Sequence, residues 1–62
     1  MFAIKFNNKN CWIADWEGDP GRTLLLENAK TYKNHNAAQK ELDKIIMKNR
    51  HRKMDLTIVK LS

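Results

Sequence analysis

The twenty residues 34–53, NHNAAQKELDKIIMKNRHRK, decide the fold. Ala38, Leu42, Ile45 and Ile46 fall at i, i+4, i+7 and i+8, one stripe of a 3.6-residue period, while Lys40, Asp43, Lys44 and Met47 take the opposite side. The spacing predicts one amphipathic helix. Asn34 or Asn36 caps its start, and Asn36 with Gln39 three residues on makes the amide form of a capping box. The helix should end near Asn49, a residue type suited to a left-handed terminal position. Lys48, Arg50, His51 and Arg52 then complement the negative end of its dipole.

Upstream of that helix, Phe2-Ala3-Ile4-Lys5-Phe6 alternates apolar and polar as a half-buried strand does. Asn7-Asn8-Lys9-Asn10 is a turn, and residues 11–16 are the second strand of a hairpin. Residues 17–21, EGDPG, hold both glycines and the single proline of the chain, a strong turn signal. Residues 22–26 read as a third strand, although the three leucines could also begin a helix. In the connector 27–32, Ala29 and Tyr32 sit three apart, which suits a single turn tucking both toward the core. Downstream, residues 55–61 form the last strand, with β-branched Thr57, Ile58 and Val59. The expectation is an α+β fold: one domain over residues 1–62, of order β-β-β-α-β. Its small antiparallel sheet carries one amphipathic helix on one face, the least plan that hides both apolar surfaces.

The hairpin register decides which way the tryptophans look. If Phe6 pairs with Cys11, then Ile4 opposes Ile13 on the core face and Trp12 and Trp16 stand with Lys5 on the other. If Phe6 pairs with Asn10, the tryptophans enter the core, because a one-residue slip inverts every side chain. An even loop suits residues 7–10 best. It would leave an aromatic pair beside lysine, a stacking platform or a protein interface. Against this stands the tendency of tryptophan to supply core area in a small domain; Trp16, next to the acidic turn, is the better candidate for exposure.

Sixty-two residues bury only about 60% of the surface of the unfolded chain, leaving little room for a substrate cavity. The single cysteine, Cys11, cannot form an internal disulfide, which points to a reducing compartment. No stretch has the length and apolarity of a membrane span, and no signal-peptide pattern stands at the start. Charge is divided unevenly. Residues 1–29 carry three Lys/Arg against four Asp/Glu, and residues 30–62 carry nine against three. The positive field belongs to the helix and its exit, and favours an acidic protein surface or nucleic acid.

The candidate binding residues follow from that charge. Lys40, Lys44 and Lys48 recur every four residues on one helix face, and Arg50, Arg52 and Lys53 extend the patch past its end. They form either a track for anionic partners or an ordinary solvated helix face. Trp12 and Trp16 are the rival location. His35 and His51 lie at opposite ends of one helix and cannot share a metal. Asp15, Glu17 and Asp19 lack the ordered loop of oxygens that calcium requires. Gly18 and Gly21 have no Lys-Ser/Thr pair behind them to make a phosphate loop. Cys11 has no local base. The residues therefore propose no catalytic set, no cofactor and no metal.

Phe2-Ala3-Ile4-Lys5, Trp12-Ile13-Ala14, Arg22-Thr23-Leu24, Glu27-Asn28-Ala29-Lys30-Thr31-Tyr32 and Ala38 form a recurring pattern. It is a hairpin of aromatic-x-Ile-Lys followed by aromatic-Ile, then an Asn-Ala-Lys-x-Tyr connector into a helix with an early alanine. In this most of the first 45 residues resemble small accessory proteins of bacteriophages. The resemblance implies a non-enzymatic binding protein that blocks a host or defence protein handling nucleic acid, CRISPR effectors among them. It implies a partner with an acidic surface and a place in the cytoplasm of an infected host cell. It transfers no residue role. The basic second half departs from the acidic DNA-mimic type. A small basic nucleic-acid-binding protein is the alternative.

Overall fold

Residues 7–10 close the first hairpin as an even loop in a computed structural model of the chain, which describes residues 1–16, 18, 21–50 and 54–61. The Phe6 amide donates to the Cys11 carbonyl at 3.0 Å, and Lys5 stands opposite Trp12. Ile4, Phe6 and Ile13 consequently share the core face. Trp12 stands on the other face, with the Lys5 Nζ 5.6 Å from its ring centroid.

The elements are β1 (Phe2–Phe6), β2 (Trp12–Ile13), β3 (Arg22–Thr23), α1 (His35–Lys48) and β4 (Leu56–Lys60), with a short 3-10 turn at Leu26–Asn28. They build an antiparallel sheet of order β3-β2-β1-β4 with α1 across one face, the α+β plan expected from the sequence. Ile4 is wholly buried at the centre, and Phe6, Cys11, Ile13, Tyr32, Ala38, Leu42 and Ile45 complete the core. β4 pairs along all of β1. Asn7 stitches the end of that ladder: its Nδ2 donates to Asp55 Oδ1 at 2.8 Å, and its Oδ1 accepts from Thr57 Oγ1 at 2.7 Å.

Several local expectations are corrected. The second strand, expected over 11–16, is regular only at Trp12–Ile13, because the connector wedges into the hairpin beyond that point. Lys30 N–H donates to the Ile13 carbonyl at 2.9 Å, and Phe2 and Tyr32 exchange backbone hydrogen bonds of 2.9 and 2.8 Å. Residues 29–32 are therefore extended and not the expected single turn; Tyr32 still reaches the core, while Ala29 is half-buried. The turn lies earlier, at Leu26–Asn28. The third strand, expected over 22–26, stops at Thr23. The Thr23 hydroxyl accepts the Leu25 amide at 3.1 Å, a local bond that competes with the ladder. Leu24, Leu25 and Leu26 are left exposed, Leu24 to 76%.

The helix cap is Asn34, whose Oδ1 accepts the Ala37 amide at 2.9 Å. Asn36 is already helical, so the Asn36–Gln39 box does not form; Gln39 Nε2 donates to Asp43 Oδ1 instead. Asn49 has φ of −118° and is not left-handed. It closes the helix with its side chain, Nδ2 donating to the Ile45 carbonyl at 2.9 Å. Ile46 is 40% exposed, so the buried stripe narrows to Ala38, Leu42 and Ile45.

Candidate binding cleft

The wedge that shortens β2 also shapes a concavity between the hairpin and α1. Beyond Ile13 the chain no longer follows strand parity, so Trp16 leaves the face of Trp12. It lines an open cleft of about 240 Å³ together with Lys44, Ile45 and Lys48 of α1. The two tryptophans, expected on one face, are thus divided. Trp12 is half-buried over Lys5, and Trp16 is 51% exposed at the cleft rim.

Gly21 allows this placement. A Cβ there would collide with the Trp16 carbonyl oxygen and crowd its ring. The close approach also lets Ala14 N–H donate to the Gly21 carbonyl at 2.9 Å. The chain thereby returns directly beneath Trp16.

Ile13, Ala14 and Ile45 are the buried apolar residues of the cleft lining. Its rim is charged. Lys30 of the connector reaches Asp15 at 3.8 Å and Glu41 at 3.6 Å, so these two carboxylates already face a cation. Lys44 and Lys48 carry the remaining positive charge among the described rim residues. Asn49 closes the far end. It is 2% exposed, and among the described residues its Oδ1 has no hydrogen-bond partner.

Tyr32 lies behind the rim, with Lys30 Nζ 5.5 Å from its ring centroid. Its hydroxyl is buried, with no hydrogen-bond partner among the described residues. Burial, followed by the negative charges of Glu41 and Asp15, pushes its pKa up to about 12, since each disfavours the phenolate.

The sequence-derived candidates are therefore partly gathered. Lys44, Lys48 and Trp16 meet at the cleft. Lys40 and Arg50 are exposed outside the cleft lining. Trp12 is on the opposite sheet face. Arg52 and Lys53 lie outside the described residues, as do His51, Glu17 and Asp19. Sequence reasoning missed Lys30 and Asn49 as cleft residues, and it left the three leucines between a strand and the start of a helix, whereas only Leu26 begins a short 3-10 turn. The Asn-Ala-Lys segment was visible, but nothing in its spacing said that it would enter the hairpin and aim Lys30 at two carboxylates.

Among the described residues no group of three or more His, Cys, Asp or Glu side chains comes together to hold a metal, and no helix is long and apolar enough to cross a membrane. Comparison with protein families, with curated proteins and with solved structures finds no match to the chain.

Proposed function

We propose that this is a non-enzymatic binding protein of the phage accessory kind, which occupies an acidic surface on a host or defence protein that handles nucleic acid. The observation that carries the reading is the meeting of exposed Trp16 with Lys44 and Lys48 on one cleft. An exposed tryptophan is a residue type of interface hot spots, and the lysines beside it would steer an acidic partner into register. The cleft volume of about 240 Å³ falls below the roughly 300–1,000 Å³ of small-molecule sites, and suits one anchoring side chain better than a substrate. The exposed Leu24, Leu25 and Leu26 lie outside the cleft lining and offer a separate apolar surface that a protein partner could cover.

The test is affinity capture from bacterial lysate with the wild-type chain and with Trp16→Ala and the Lys44→Glu/Lys48→Glu pair. The reading expects a nucleic-acid-handling protein that the wild type retains and both variants lose. Equal retention by all three would remove the cleft from the interface.

A second reading, direct nucleic-acid binding, draws on Lys5 against Trp12 on the sheet face away from α1, a cation beside a partly open aromatic ring. A gel shift with single-stranded and duplex DNA and RNA separates the two. Micromolar binding that steepens as salt falls favours nucleic acid, and absence of binding at low salt excludes it.

A further inference from the structure

The two edges of the sheet are built differently. β3 is an edge of only two residues, whereas β4 presents five, Leu56–Lys60, without proline, glycine or any break in its register with β1. Short edges, bulges and prolines are the usual guards against strand pairing, and β4 has only Lys60 near its end.

The hydrogen bonds fix which backbone groups are open. Asn7 N–H donates to the Asp55 carbonyl and Leu61 N–H to the Met1 carbonyl. Antiparallel alternation then turns Thr57 and Val59 toward β1, and turns the amides and carbonyls of Leu56, Ile58 and Lys60 outward. No described residue bonds to those outward groups. Leu56, Ile58 and Lys60 share the helix face with their β1 partners Phe6, Ile4 and Phe2. At this edge Leu56, Ile58 and Val59 are only half-buried.

We infer that β4 pairs with β4 of a second copy, antiparallel about a two-fold axis through Ile58. That register sets Ile58 against Ile58 and Leu56 against Lys60, and it alone engages the outward groups of all three residues. Centring on Thr57 or Val59 pairs two of the three within the strand. Centring on Lys60 sets lysine against lysine, and centring on Leu56 carries the pairing of Lys60 beyond the strand. In the Ile58 register the aliphatic stem of each Lys60 covers the partner's leucine, and Thr57 meets Val59 on the other face. A five-residue seam buries less than a standard stable interface, so the association is weak. Each copy carries a net charge of +5, so repulsion opposes it and added salt strengthens it. Binding of an acidic partner in the cleft has the opposite salt dependence, so the two ideas fail separately.

The experiment is sedimentation of the full chain from micromolar to millimolar concentration in low and high salt, with amide exchange read by NMR. The expected result is an average mass rising toward twice that of the monomer, more readily in high salt. The Leu56, Ile58 and Lys60 amides should become protected as it rises. Leu56→Glu faces Lys60 and should dimerise about tenfold more tightly than Leu56→Lys, which faces the same lysine with like charge. Both variants lose the same leucine, so their difference reads the register and not the fold. Lys60→Pro, at an exposed position with an outward amide, should weaken dimerisation about tenfold without breaking the ladder to β1. A monomer at millimolar concentration in high salt overturns the inference, as do equal affinities of the two Leu56 variants.

Discussion

Tyr32 shows how a single residue couples the core to the charged rim. Its ring is core, yet its hydroxyl has no hydrogen-bond partner among the described residues, and its pKa is raised to about 12 by burial and then by Glu41 and Asp15. A raised pKa means that the folded state favours the neutral phenol. The stabilisation is fully present below the ordinary value of 10 and is lost as pH rises toward about 12. Tyr32 is the only tyrosine, so its ultraviolet absorbance titration reads this directly, and the midpoint should lie well above 10. Tyr32→Phe should leave stability at neutral pH within about 0.5 kcal/mol of wild type or above it, because it removes a buried group that has no partner among the described residues. It should also flatten the loss of stability in urea melts between pH 10 and 12. A wild-type titration near 10 would show the hydroxyl to be open to water.

At the scale of elements, legibility followed the strength of the local signal. The hairpin register was readable because residues 7–10 form an even loop and Phe2, Ile4 and Phe6 alternate cleanly. The helix was readable from its stripe, but not the width of that stripe, since Ile46 is apolar by type and exposed by geometry. The run Leu24-Leu25-Leu26 was misread because a hydroxyl two residues upstream, not hydrophobicity, ended β3. Asn49 was assigned by residue type to a left-handed position, whereas its side chain supplies the cap. Two substitutions test the narrowed stripe. Leu42→Ala should cost about 2–5 kcal/mol, enough to unfold much of a domain this small. Ile46→Ala, at a 40% exposed position, should cost less than half as much. Asn34→Ala should cost about 1 kcal/mol through the lost bond to Ala37. Chemical denaturation of the three variants gives all these values, and equal losses at 42 and 46 would restore the wider stripe.

At the scale of the molecule, the uneven charge seen along the sequence becomes a spatial division. The carboxylates Asp15 and Glu41 are held by Lys30, which leaves Lys44 and Lys48 at the cleft and Arg50 exposed at the helix exit. Exposed lysines contribute little to stability, and substitutions at such positions usually stay within about ±0.5 kcal/mol each. Lys44→Glu/Lys48→Glu should therefore melt within a few degrees of wild type, while partner affinity falls by at least about tenfold. Arg50→Glu/Arg52→Glu/Lys53→Glu should likewise abolish binding at nearly unchanged stability if the helix exit belongs to the same surface. Serine at positions 24, 25 and 26 together is the contrasting case. It removes an exposed apolar surface but no charge, so any loss of affinity should come from faster dissociation with the salt dependence intact, whereas both glutamate variants should flatten that dependence. Calorimetry against the captured partner at two salt concentrations distinguishes these patterns. If the leucine variant alone lost binding, the docking surface would lie on the 24–26 loop, and the cleft lysines would be no more than a solvated face.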